Sequence, residues 1–185
     1  VPPISDDDLR RVIVGELQPH NAPITLAEYD PAWPARYAEQ ERRIRDVLGP
    51  VARRVEHVGS TSVPGLPAKP IIDMLLLVPD SAVEPDYLPP LEAAGYVLRV
   101  REPEWFDHRL CKGPDTNINL HIFSEGCTEA DRMLRFRDHL RTHNADRDHY
   151  AATKRTLATR TWRHVQDYAD AKSAVVADIM SRATG

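Results

Sequence analysis

Apolar and polar residues recur along this chain with changing period, and each change marks an element. Between 31 and 48, Trp33, Tyr37, Ile44, Val47 and Leu48 fall at helical spacing, which predicts a helix buried along one side. Asp30 is placed to cap it, and Pro31 and Pro34 lie in its first turn, where proline is tolerated. Gly49-Pro50 ends it. VARRVEHV (51–58) reads as a short strand stopping at Gly59. After a Pro/Gly-rich loop (60–70) comes IIDMLLLV (71–78), a near-continuous apolar run suited to a central strand.

Pro79-Asp80 closes that strand, and LPPLEAAGY predicts a helix stopped by Gly95. YVLRVRE, WFDHRLCK and NINLHIF are the next strand candidates. In the last, Ile118, Leu120 and Ile122 point one way, and Asn119, His121 and Phe123 the other. From Thr128 the period becomes helical. Thr128 and Asp131 make an acidic variant of a capping box, and Met133, Leu134, Phe136 and Leu140 supply the apolar side. Asn144 is placed to cap a second helix running through Tyr150 and Leu157. A third helix is predicted over 167–182, with Tyr168, Ala171, Val175 and Ile179 on one face. The expected class is α/β in the α+β sense: a small mixed sheet (about 51–123) flanked by helices, with a C-terminal helical segment (about 128–182). Residues 1–23 read as a loosely attached arm with a short helix near 8–17, and residues 24–185 as a single domain.

The length, 185 residues, suits one sizeable core. The net charge of -4 provides no global basic field for nucleic acid. The apolar run at 71–78 is far too short for a bilayer, and the N-terminus lacks the pattern of a secretory signal. No membrane partner and a cytoplasmic location are expected. Cys111 and Cys127 have no zinc-like spacing and read as free thiols of a reducing compartment.

Candidate chemistry concentrates in HVGSTSVPGLPAKPIIDMLLLV (57–78). Successive N–H groups at Gly59 and Ser60 can form an anion-binding concavity that glycine leaves open to close approach. Ser60 and Thr61 add hydroxyls, and Lys69 adds a positive charge. Asp73 sits in an apolar strand, where a carboxylate is costly unless paired or liganded. It can hold Mg²⁺, which bridges to substrate phosphates. A phosphate cradle followed by a metal carboxylate suits nucleotidyl transfer. His57 and His121 are candidates to complete a metal shell or act as base, and Arg109 and Lys112 to clasp phosphates from a neighbouring strand. Each has a plainer structural alternative: a common turn for Gly-Ser, a hydrogen-bonded core group for a lone strand histidine, a solvated edge charge for the arginine and the lysines.

The 57–78 segment, with NINLHIF, FRDHLRTH and YAATKRTLA, resembles the GrpB family, from about residue 26 to 180. That family is similar to the nucleotidyltransferase superfamily, and a related domain is also found fused to dephospho-coenzyme A kinase. The resemblance implies a nucleotidyltransferase-like core binding a nucleotide or other phosphorylated small molecule with Mg²⁺, or with Mn²⁺ or Zn²⁺ as alternatives. Gly59 and Ser60 match the phosphate turn and Asp73 the first metal carboxylate. Two departures stand out: Leu75 occupies the place of the second carboxylate, and the later strand offers Asn119 and His121 in place of the third. Three functions follow as expectations. The first is a nucleotidyltransferase using Asp73 and His121. The others are a non-catalytic nucleotide-binding module and a phosphohydrolase using a histidine-bound metal.

Overall fold

The computed structural model describes residues 5–17, 20–115 and 117–183. Its elements in chain order are α1 (Asp6–Val12), α2 (Trp33–Leu48), β1 (Arg54–Val58), β2 (Ile72–Val78), α3 (Leu88–Ala93), β3 (Val97–Glu102), β4 (His108–Lys112), β5 (Ile118–Ser124), α4 (Thr128–Thr142), α5 (Asn144–Ala158), α6 (Val165–Ala171) and α7 (Ser173–Arg182). The five strands form one mixed sheet in the order β1-β2-β5-β4-β3. β2 and β5 run parallel at its centre, and the other pairs are antiparallel. Helices flank the sheet and follow it to the C-terminus, as the sequence pattern predicts.

The apolar run of β2 is explained by burial on both faces. Ile72, Met74, Leu76 and Val78 join Ile118, Leu120, Ile122, Val55 and Cys111 in a core closed by Trp33, Ile44 and Leu48 of α2 and Leu91 of α3. Burying each such side chain fully stabilises the fold by about 1.5–3 kcal/mol. On the opposite face Leu75 and Leu77 pack with Val58, Phe123, Ala130 and Leu134, so α4 covers one end of that face. Arg137 fastens α4 to β1 through Glu56 (2.7 Å) and the His57 carbonyl (2.9 Å). Asp146 accepts from His139 (2.6 Å) and Arg182 (2.7 Å), tying α4, α5 and α7 together.

Several local expectations change. The N-caps of α2 and α5 are Ala32 and His143, neither with a side-chain cap bond, rather than Asp30 and Asn144. The N-cap of α4 is Cys127, without a side-chain cap bond, so Thr128 and Asp131 form no capping box. The predicted helix over 167–182 is two, joined at Lys172, with no glycine or proline at the joint. The arm is anchored rather than loose in its described part. Ser5 caps α1 by accepting from the Asp8 N–H, and Leu9 is buried. Ile13 bridges to Val100 on the outer edge of β3, and Asp6 pairs with Arg163 and His164. Residues 1–4, 18 and 19 of the expected arm lie outside the described residues.

Candidate functional site

The register of the sheet decides which candidates meet. Asp73 lies beside Asn119 on β5, which in turn lies beside Lys112 on β4. Partners in register share a face, so all three project, with His121, from the same face as Leu75 and Leu77, at the end that α4 leaves uncovered. Lys112 Nζ donates to Asn119 Oδ1 (2.5 Å), and Asn119 Nδ2 donates to Asp73 Oδ1 (2.8 Å). An ammonium on one side and a carboxylate on the other fix which way the amide points. His121 Nε2 stands 3.8 Å from the same Asp73 oxygen. Side-chain exposures of 28% for Asp73 and 21% for His121 leave both open to a ligand.

The turn after β1 closes against this carboxylate. Gly59 has φ +67°, and a Cβ there would stand 2.5 Å from Asp73 Oδ2. Both facts require glycine. Residues 60–62 form a single 3-10 turn, held by Ser62 Oγ donating to the Gly59 carbonyl (2.6 Å). Lys154 of α5, only 2% exposed, donates to Ser60 Oγ (2.9 Å) and to the Pro67 carbonyl. The Lys154 Nζ sits 4.8 Å from the Tyr150 ring centre, while Lys172 and Lys69 sit 4.6 Å and 5.9 Å from that of Tyr168.

The result is one carboxylate within the field of four lysines: Lys69, Lys112, Lys154 and Lys172. Burial holds all four ammonium groups below their ordinary values, with Asp73 pulling the other way. Lys154 comes down to about 7, helped by Lys172 and Arg155, and Lys172 to about 8, helped by Lys69. Burial also opposes the charge on Asp73, but His121, the Asn119 amide and Lys69 outweigh it, so its carboxyl is held below the usual range. A chain of net charge -4 thus keeps a local surplus of cations at one place. A polyanion relieves that surplus.

Other predicted site residues lie elsewhere. His57 pairs in register with Met74, on the opposite face from Asp73. There its ring stacks on Tyr37 (4.9 Å between centres) and its Nε2 meets Thr61 Oγ1 (3.0 Å). Burial lowers its imidazole to about 4. It is not a metal ligand beside Asp73, and Thr61, buried and bonded to it, spends its hydroxyl there rather than on phosphate. Arg109 pairs with Ile122 and shares its face, again opposite Asp73. Its guanidinium is buried against Glu84 (2.5 Å), so it does not clasp phosphate at this site. Leu75, in the place of a second carboxylate, is fully buried under α4.

A third chain of contacts runs along the open face. Glu102 Oε2 meets His108 Nδ1 at 2.6 Å, and His108 Nε2 meets His121 Nδ1 at 3.1 Å. The Glu102 carboxylate accepts, so the hydrogen of a neutral His108 sits on Nδ1. His108 Nε2 is then the acceptor that faces His121 Nδ1, and His121 Nε2 faces Asp73. Burial holds the His108 imidazole below its ordinary value despite Glu102.

The set fits one divalent cation at most. Among the described residues there is no group of three His, Cys, Asp or Glu able to hold a metal. A two-ion site of the phosphoryl-transfer kind needs several carboxylates, and only Asp73 is present, with His121 as its single protein neighbour of ligand type. A separate charged hollow, lined by Glu39, Arg42, Arg43, Asp46 and Val47, lies on the exposed side of α2, away from this site.

The sequence reading misses Lys154 and Lys172, His108 and Glu102. A signal for Lys154 exists: Tyr150, Ala151, Leu157 and Ala158 make an apolar stripe on α5 with Lys154 in its middle. Lys172 likewise falls between Tyr168 and Val175.

Comparison with known proteins gives the relatives. The model of the GrpB family, described as GrpB protein, matches residues 23–182. A UPF0157 protein of Halalkalibacterium halodurans is 64% identical over 98% of this chain and 93% of its own length. The crystal structure of conserved protein GrpB from Enterococcus faecalis superposes with a TM-score of 0.73 at 30% identity, covering 86% of this chain and 96% of that one. A dephospho-CoA kinase of Mycolicibacterium paratuberculosis is 31% identical over 88% of this chain, a match covering 46% of the kinase. Among the described residues no helix is long and apolar enough to cross a membrane.

Proposed function

We propose, for a chain that belongs to the GrpB family, that the open face around Asp73 binds the phosphate tail of a nucleotide or related phosphorylated small molecule. We infer further that its activity is transfer of a nucleotidyl group to a hydroxyl or amine acceptor. One observation carries the reading: four lysines and a glycine turn converge on a single accessible carboxylate. Lysine ammonium groups and turn N–H groups neutralise and orient phosphate. The match to part of a protein named for dephospho-CoA agrees with a phosphorylated substrate. The free thiols of Cys111 and Cys127 agree with a cytoplasmic setting.

In this reading the Gly59–Ser60 turn and Ser60 Oγ hold an outer phosphate, and Lys154 fixes that hydroxyl from behind. Lys69 and Lys172, spaced by the Tyr168 ring, take the charge of the remaining phosphates. Lys112 acts on the other side, through Asn119, by holding Asp73 in place. A divalent cation, Mg²⁺ or Mn²⁺, would be held by Asp73 and would offset charge on the reacting phosphate. The lysines supply what a second cation supplies elsewhere, which is why one carboxylate serves. His121 lies on the same face and can act as the base for an acceptor hydroxyl or supplement the shell of the cation.

A second reading, a non-catalytic binding module, is favoured by Leu75, whose packing under α4 leaves no room for a second carboxylate. Pyrophosphate release from a panel of nucleoside triphosphates, compared with Asp73→Ala, separates the two. Release abolished by the substitution supports transfer. Binding without release supports the module, and absence of both contradicts each.

A further inference from the structure

Tyr168 of α6 is 1% exposed, and its hydroxyl has no hydrogen-bond partner among the described residues. We propose that this hydroxyl is a further ligand contact, donating to a phosphate oxygen seated between Lys69 and Lys172. The inference rests on the phosphate reading above and adds to it a donor from the C-terminal helices.

Three observations converge. The first is the unmet donor itself. Buried hydroxyls are nearly always bonded, and phenylalanine fills nearly the same volume without one. His164 Nδ1 and Asp167 Oδ1 nearby are also unpaired, but those side chains bond through their other atoms, to Asp6 and to the His164 N–H. Tyr168 has no second polar atom. Burial pushes its hydroxyl up to about 12, so it stays an O–H donor at neutral pH. The second is place. Lys172 and Lys69 sit over the ring, 4.6 Å and 5.9 Å from its centre. Burial raises the Tyr150 hydroxyl, and the fields of Tyr168 and of Asp73 add to it, so Tyr168 and the carboxylate act on the same group. Tyr150 in turn lies against Lys154, the lysine that donates to Ser60. The third is rigidity. The Tyr168 ring packs with Ile24, Leu157 and Ala158 and meets Trp162 edge-on at 6.0 Å. Those apolar groups hold the ring and offer its hydroxyl nothing. Lys69 and Lys172 are only half-buried. Drawn onto phosphate oxygens, they leave the ring and open its polar end. An O–H bonded to an anion is charge-assisted and stronger than a neutral pair.

The test uses the full chain and inorganic tripolyphosphate with a chelator, in titration calorimetry at pH 7, together with thermal melts of the unliganded protein. Tyr168→Phe removes only the hydroxyl. It should weaken tripolyphosphate binding about tenfold or more, while the unliganded melting temperature stays level or rises. Tyr96→Phe is the opposite control. The Tyr96 hydroxyl donates to Gln40 at 2.7 Å inside the core, so that variant should lose stability and keep its affinity. Affinity unchanged in Tyr168→Phe overturns the proposal. So does a lower melting temperature of unliganded Tyr168→Phe, because the hydroxyl is then bonded in the empty protein, to a buried water for instance. The two readings fail separately. Tripolyphosphate bound equally by wild type and Tyr168→Phe sinks this contact alone; none bound by wild type sinks the phosphate site as well.

Discussion

Binding of a polyphosphate should draw protons from the buffer at mildly alkaline pH, and the structure sets how many. Burial and neighbouring cations lower Lys154 to about 7 and Lys172 to about 8. At pH 8.5 the free protein then carries only about 3% of the charge on Lys154 and about a quarter of that on Lys172. An anion seated among the lysines favours the charged amines, so saturation should take up between one and two protons per ligand. The sign follows from the same values. Affinity is full below about pH 7 and falls as pH rises through 7 and then 8. At pH 8.5 recharging Lys154 costs about 2 kcal/mol, roughly a 30-fold loss of affinity, and Lys172 adds a further few-fold. Titration calorimetry with inorganic tripolyphosphate and a chelator, in two buffers of different ionisation enthalpy, measures the uptake directly. Terminal phosphates titrate near pH 6 and contribute little at 8.5. Lys154→Met should lower the uptake by about one proton. Binding without uptake, or the same uptake in Lys154→Met, refutes the placement of these lysines against the ligand.

The remaining predictions concern stability. Gly59→Ala combines a positive φ with a Cβ driven into Asp73 and should cost about 1–3 kcal/mol in urea denaturation; an unchanged midpoint contradicts the close approach. Glu84, paired with Arg101 and Arg109, has its carboxyl held down at about 2, chiefly by the Arg101 hydrogen bond. With solvent screening at the half-exposed Arg101 counted, it therefore contributes about 1–2 kcal/mol above its unfolded value, lost as pH falls through about 2. Glu84→Gln should be less stable by that amount at neutral pH and should converge with wild type near pH 2 in acid denaturation. Lys154 acts in the opposite sense. Its lowered value destabilises the fold by several kcal/mol below about pH 7, and stability should rise as pH climbs from 7 towards 10.5, a rise that Lys154→Met should flatten in thermal melts across that range.

The alternation in NINLHIF is readable as sequence, and it places Asn119 and His121 together on one face, as the sheet does. The apolar run of β2 with one internal carboxylate is equally readable, because only a central strand is covered on both faces. What the sequence leaves open is parity. Glu56 and His57 point to opposite faces in any strand, but which one joins Asp73 depends on the Gly59 turn, and it is Glu56's face. WFDHRLCK has no clean alternation, so the side taken by Arg109 is set only by its pairing with Ile122. Lys154 is hidden for another reason. A lone lysine on a helix normally reads as solvated, and only the approach of α5 to the loop at 60–69 buries it. The Glu102–His108–His121 chain joins residues on three antiparallel strands, whose register no local pattern specifies.

The central claim is that a phosphorylated ligand docks between the Gly59–Ser60 turn, Asp73 and the lysines. A crystal structure with a non-hydrolysable nucleoside triphosphate at saturating concentration tests it most directly. The account predicts phosphate oxygens within hydrogen-bond reach of Ser60 and of Lys69 or Lys172. Nucleotide bound elsewhere, with no phosphate oxygen near Ser60, Lys69 or Lys172 and Asp73 still contacted by protein groups alone, contradicts it.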